Sequence, residues 1–349
     1  MNAGRCAVGL LTWNGEADVA ACVRALQAQS EPALDVIWID NGSTDGTVSR
    51  VREAARDFPE PRRLAANIGF CAGHNLGLSL ARLPYYLALN QDVALAPDYI
   101  GRLCDWLDED STLAATSGLL LQTADLEHLD PAAPIASAGL AMGYGRFPFE
   151  LGMDRSPGPS DSARRYVPGV TGAAMLLRRS AVQALTDSDE FFPADFFAYF
   201  EEVDLALRLA RAGWRCGLDG AARAWHARRG HEGRRDPRLR VHYLKNHWLV
   251  SLRNDAWSEL LREAPYVLKG ELRWYFPRYL RTPWAALQAL GAALVHAPRA
   301  RRVYQSLERR FPEARAGRAG FYALSRSLLR GNHAHGAEAP PAGHSKRSQ

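Results

Sequence analysis

Through its first 122 residues the chain alternates short apolar runs with stretches of helical periodicity. "CAVGLLTW" (6–13) reads as a strand, and Val19, Cys22, Val23 and Leu26 then recur at helical spacing. "DVIWID" (35–40) is a second strand, followed by the turn-forming "NGSTDG" and a helix through Val51 and Ala55. "RRLAA" (62–66) is a third strand, 72–83 a helix and "YYLALN" (85–90) a fourth strand. An amphipathic helix over 97–110 opens on Pro97, and 113–122 is a fifth strand. Strands alternating with helices make βαβ units. The expected class is α/β, with a Rossmann-like, mostly parallel sheet flanked by helices.

The pattern then breaks. From about 123 to 165 Pro, Gly and Asp dominate, as in a lid or binding loop, with a hairpin candidate at "ASAGLAMGYGRFPF". A buried strand (169–179), a helix (197–214) and a short strand (221–227) follow. Beyond them the chain reads as helical and basic, and 333–349 as a disordered tail. The expected organisation is a catalytic domain over 1–255, with a nucleotide-binding half (1–122) and an acceptor half (123–255). A helical C-terminal extension over 256–332 completes it.

Charge divides the same way. Residues 1–200 hold 15 basic and 25 acidic side chains, and 201–349 hold 28 and 13. A basic half suits an anionic partner such as phosphate or a lipid surface. No nucleic-acid-binding signature accompanies it, so no nucleic-acid partner is expected. The five cysteines are scattered without a C-x-x-C pair, which suits reduced, buried thiols in a cytosolic protein. A strand begins within a few residues of the N-terminus, which argues against a signal peptide, and no run of about 18 apolar residues occurs.

In an open parallel sheet, ligands sit outside the carboxyl ends of the strands. Three such ends are polar here: Thr12-Trp13-Asn14, Asp40-Asn41-Gly42-Ser43 and Asn90-Gln91-Asp92. Asp40 can accept hydrogen bonds from a base or ribose, or simply form a turn. Asp92 can hold a hard divalent cation that also binds phosphate, or lead a turn into Pro97. Glu201, Glu202 and Asp204 crowd one helix start, where repulsion raises a pKa into the range of a general base. The helix dipole alone would also favour acids there. His226 precedes a run containing Arg228, Arg229, Arg234, Arg235, Arg238 and Arg240. It is either structural or a metal ligand beside a phosphate-binding cluster.

Taken in order, these stretches resemble the family 2 glycosyltransferases, which have the GT-A fold. "VGLLTWNG" and "WIDNGSTDGT" resemble the family's first two blocks. "ANIGFCAGHNLGL" and "LNQDV" resemble those of the rhamnosyltransferase-like branch. "GVTGAAMLLRR" and "FFAYFEEVDLALRLARAGW" match later blocks, and the likeness spans roughly residues 6–255. The resemblance implies that Trp13, with Thr12 and Asn14 beside it, stacks on the nucleotide base. It implies that Asp40 binds the pyrimidine, with Asn41 beside it in the nucleotide-binding set, and that Asn67, Gly69 and Asn75 line the nucleotide pocket. Asn90 stands at the first position of the family's Asp-x-Asp motif, and Asp92 is its metal-binding carboxylate. Glu202 falls at the general base, flanked by Glu201 and Asp204, and His226 completes the metal site. Two positions depart from the pattern: Asn90 lacks a charge, and Glu202 replaces an Asp.

The expected activity is inverting transfer from a dTDP- or UDP-sugar, with rhamnose favoured, to a glycan or lipid-linked acceptor, assisted by Mg²⁺ or Mn²⁺. An inactive nucleotide-sugar binder is the alternative. A sugar nucleotidyltransferase is disfavoured because "TWNGEADVAA" lacks the basic loop that receives a triphosphate. Trp274, Tyr275, Phe276, Tyr279 and Trp284 lie close to Arg273, Arg278 and Arg281, before the short apolar "AALQALGAALVHA". That grouping suits peripheral contact with the cytoplasmic face of a membrane.

Overall fold

The computed structural model describes residues 4–143, 146–186, 190–227, 237–312 and 314–333. The tail expected beyond 333 lies outside them. The first part runs β1 (Cys6–Thr12), α1 (Val19–Gln27), β2 (Asp35–Asp40), α2 (Thr47–Ala54), β3 (Arg62–Arg63), α3 (Phe70–Leu80) and β4 (Tyr85–Asn90). Next come β5 (Val93–Leu95), α4 (Tyr99–Glu109), β6 (Leu113–Gln122) and β7 (Ile135–Ser137). A small hairpin, β8 (Leu140–Met142) and β9 (Pro148–Glu150), falls inside the expected stretch. The second part holds β10 (Arg164–Val167), β11 (Ala174–Arg178), α5 (Arg179–Ala184), α6 (Glu201–Arg211) and β12 (Arg215–His226).

The main sheet is ordered β10-β12-β6-β11-β4-β1-β2-β3. β4, β1, β2 and β3 are parallel, as their helical crossovers require. β11 enters antiparallel between β4 and β6, and β12 returns parallel to β6. β4 is buried almost throughout because helices cover both faces of the sheet, which is why it reads as an unbroken apolar run. Side chains of α1, α2 and α4 form the core on one face, and those of α3, α6 and the C-terminal helices form it on the other. Gly9 on β1 and Gly77 on α3 make room for the Tyr86 ring, since a Cβ at either would lie about 2 Å from its hydroxyl. All five cysteines are buried and unpaired.

Several boundaries differ from the sequence reading. The third strand is only Arg62–Arg63, both exposed at the sheet edge. The strand expected over 169–179 joins the main sheet only from Ala174, with Gly169 making a single bridge to Leu140, and 221–226 is the end of the longer β12. The helix expected from 197 starts at Glu201, because Phe197, Tyr199 and Phe200 all take positive φ (65°, 75° and 71°).

The helical extension is present. After α7 (Pro237–Asn254), which falls before the expected boundary at 256, it comprises α8 (Trp257–Arg262), α9 (Ala264–Gly270), a π-helical turn (Glu271–Tyr275), α10 (Phe276–Arg281), α11 (Pro283–Arg310) and α12 (Ala314–His333). It is fastened to the rest by buried polar contacts. Arg146, near the hairpin, pairs with Asp255 at 3.3 Å and lies over the Tyr322 ring at 4.2 Å. The Met142 N–H donates to Ser325 Oγ at 3.2 Å.

Candidate active site

The three polar strand ends converge as expected, and most of their side chains are spent on one another. Thr12 and Asp40 face each other in the parallel β1–β2 register. Thr12 Oγ1 donates to Asp40 Oδ1 at 3.2 Å and accepts from Trp38 Nε1 at 3.1 Å. Asp40 is wholly buried, contrary to the solvent-facing carboxylate a strand end suggests. Its Oδ2 accepts from the Ser43 N–H at 3.2 Å and from Arg63 Nε at 3.4 Å. Asn41 holds the next loop: its Oδ1 accepts from the Ile68 N–H, and its Nδ2 donates to Asn67 Oδ1 and the Gly69 carbonyl. Asn14, at φ 45°, accepts the Thr44 N–H at 2.9 Å.

Trp13 is the exception, being 41% exposed at the mouth of this cluster. Its backbone is held by Gln91, which the sequence reading passed over. Gln91 Oε1 accepts the Trp13 N–H at 2.8 Å, and Nε2 donates to the Trp13 carbonyl at 2.9 Å. A Cβ at Gly15 would lie 2.2 Å from the same amide, so the glycine makes room for the clamp.

Asn75 does not line this cluster. Its Oδ1 accepts the N–H groups of Phe191 (3.1 Å) and Phe192 (2.9 Å), and its Nδ2 donates to the Phe192 carbonyl at 2.8 Å. It is a buried backbone clamp. Gly69 has φ 89°, and a Cβ there would strike Phe197 at 2.6 Å. The nucleotide-side loop therefore abuts the segment that leads into α6.

The antiparallel β5–β12 ladder sets His226 opposite Val93, the neighbour of Asp92. His226 Nε2 lies 3.4 Å from Asp92 Oδ2, so the two can reach one ion. Among the described residues no group of three His, Cys, Asp or Glu side chains could hold a metal alone. One carboxylate and one imidazole fit a divalent cation that completes its shell with phosphate oxygens. Arg228, Arg229, Arg234 and Arg235 lie outside the described residues, as does the side chain of Arg238.

The acids of α6 separate into different roles. Asp204 is fully buried, receiving Arg208 Nε (2.7 Å), Arg253 Nε (2.8 Å) and Asn254 Nδ2 (2.9 Å). Although burial alone would raise its pKa, these partners pull it down to about 2. A carboxylate so neutralised is a structural anchor and a poor base, which removes it from the catalytic candidates. Glu201 is buried, and desolvation with the neighbouring Glu202 charge pushes its pKa well above the usual range. Glu202 is half-buried. The backbone places it near the strand ends: the Asn90 N–H donates to the Ala173 carbonyl at 2.9 Å, and a Cβ on the adjoining Gly172 would stand 3.9 Å from that of Glu202.

Comparison with known proteins fits this geometry. The glycosyl transferase family 2 profile matches residues 8–186, just over half of the chain. An N-acetylglucosaminyl-diphospho-decaprenol L-rhamnosyltransferase of Mycobacterium tuberculosis is 27% identical over 277 residues, covering 71% of this chain and 84% of that protein. Two solved structures share the GT-A fold. S. aureus TarS 1-349 in complex with UDP-GlcNAc has a TM-score of 0.54 and 16% identity, over 94% of this chain and 92% of that one. Mannosyltransferase PcManGT from Pyrobaculum calidifontis, in complex with GDP-Man and Mn2+, has a TM-score of 0.50 and 18% identity, over 95% and 88%. With the family profile spanning half the chain and the strand ends arranged as described, the chain belongs to glycosyltransferase family 2 and is a nucleotide-sugar glycosyltransferase.

Proposed function

We propose that the chain transfers a sugar, with rhamnose favoured, from a dTDP- or UDP-sugar to a hydroxyl of a lipid-linked glycan, with inversion at the anomeric carbon. The observation that carries this reading is the approach of Glu202, through Gly172 and Ala173, to the strand end that bears Asp92. The rhamnosyl and lipid-linked parts rest on the printed name of the mycobacterial relative.

In this reading a carboxylate oxygen of Glu202 takes the proton from the acceptor hydroxyl. The oxygen attacks the anomeric carbon, and the bond to the diphosphate breaks with its electron pair leaving on the nucleotide. Trp13 offers an exposed ring to the base, and the Gln91 clamp fixes it in place. Asp92 and His226 would hold Mg²⁺ or Mn²⁺, which supplies positive charge to the leaving diphosphate. Burial and the adjacent Glu202 disfavour a negative charge on Glu201 beside the base.

The surface of the extension fits a lipid-linked acceptor. Leu261 (74% exposed), Leu280, Trp284 (79%), Leu287, Leu294 and Val295 (75%) all face outward, interspersed with Arg273, Arg278 and Arg281. No described helix is long and apolar enough to cross a membrane, so the contact proposed is peripheral, at the cytoplasmic face.

Glu202→Gln keeps size and hydrogen bonding but cannot accept a proton. It should lower kcat at least about 10²-fold with donor binding unchanged. Near-normal turnover of Glu202→Gln would rule out this base.

A further inference from the structure

The segment leading into α6 holds an unfavourable conformation. Phe197, Tyr199 and Phe200 have positive φ, a region that aromatic side chains rarely enter and that persists only where the surroundings impose it. Glu201 and Glu202 follow at once, so the exit direction of this segment fixes where the carboxylates stand.

One face of α7 imposes the conformation. The wholly buried Asn246 places Nδ2 at 3.0 Å from the Phe196 carbonyl, 2.9 Å from that of Ala198 and 2.8 Å from that of Tyr199. An amide nitrogen has two hydrogens, so it sits in a cage of three acceptors and shares its donors among them. Residues at i, i+3 and i+4 share a helix face, and His242, Lys245 and Asn246 have that spacing. Lys245 Nζ donates to the Asp195 carbonyl. The His242 ring stacks on Phe197 with centroids 4.8 Å apart and an interplanar angle of 15°. The three side chains together grip residues 195–199, and Asn246 is the one bonded across the turn itself.

We infer that Asn246 is a positioning residue for the transfer: it holds the 196–200 turn in its left-handed conformation and thereby sets Glu202 against Gly172 and the end of β4. The inference rests on Glu202 being the base. It adds a residue about 45 positions further along the chain that never touches substrate.

The test measures kcat, donor KM, acceptor KM and Tm for Asn246→Ala and Asn246→Leu, with Glu202→Gln alongside. The leucine keeps the branched four-heavy-atom skeleton and removes the donor. Displacing a catalytic group by about an ångström costs on the order of 10²-fold, so kcat should fall by about that factor while donor KM stays within about twofold of wild type. If neither variant folds, Asn246→Ser, which keeps one shorter donor, should fold and lose about tenfold in kcat by the same reasoning. Wild-type kcat in a folded variant, with only Tm lowered, overturns the inference, as does a loss confined to donor KM. An active Glu202→Gln overturns the base assignment and this inference with it. An inactive Glu202→Gln beside a fully active Asn246→Leu overturns this inference alone.

Discussion

The side-chain amide of Gln91 closes both hydrogen bonds on the backbone of Trp13, accepting its N–H at 2.8 Å and donating to its carbonyl at 2.9 Å. The end of β4 therefore orients the exposed ring at the end of β1. Gln91→Leu removes both bonds, each worth about 1 kcal/mol. Donor KM should rise roughly tenfold with kcat less affected, read by steady-state kinetics and by quenching of Trp fluorescence on nucleotide binding. An unchanged KM would mean that the ring is held by other contacts.

Asp92→Ala should abolish activation by Mn²⁺ or Mg²⁺ and lower activity at least about 10²-fold, since charge neutralisation at a leaving diphosphate is worth several kcal/mol. His226→Ala should raise the metal concentration needed for half-activation. Full wild-type activity in excess chelator would contradict both expectations and leave the charge to arginines.

Glu201 gives a pH dependence of stability. Its folded pKa lies above the unfolded value of 4.5, so the folded state keeps a proton that the unfolded state releases. Its contribution is complete below that value and diminishes as pH rises. Glu201→Gln has no proton to lose. Its Tm should exceed the wild-type value at pH 8, and by less at pH 4.5. A lower Tm for the variant at pH 8 would show that the carboxylate is ionised and paired.

The outward apolar side chains of α8 to α11 predict sedimentation with anionic vesicles at low salt and partial release near 0.5 M salt, where the Debye length is only about 4–5 Å. Trp284→Ser combined with Leu287→Ser and Val295→Ser should abolish co-sedimentation while leaving transfer to a water-soluble acceptor intact. Equal pelleting of this variant and the wild type would place the contact elsewhere.

The sequence made the strand ends legible because apolar runs that stop at polar residues survive any detail of packing. The sequence also names Asp92 and His226, and the structure brings them within 3.4 Å of each other. What the sequence hid is tertiary. Asn75 reads as lining the nucleotide pocket and Asp204 as a catalytic acid, yet burial commits one to the backbone of 191–192 and the other to Arg208 and Arg253. Asp40 reads as solvent-facing, but Arg63 and the Ser43 N–H bond to its outer oxygen. Residues 197–200 read as helix because their aromatic pattern is compatible with one. Positive φ at non-glycine residues leaves no mark in a sequence. Asn246, distant along the chain, had no local signal.

The placement of β11 between β4 and β6 bears on modularity. The stretches 1–122 and 123–255 look separable along the chain, but β11 is a central strand of a sheet built from both. Cutting the chain between them would strip β4 and β6 of a neighbour and leave each fragment with a raw, apolar sheet edge. Such fragments would aggregate sooner than work as exchangeable donor and acceptor modules. New sugar specificity is therefore better grafted onto the loops at the strand ends than assembled by swapping halves.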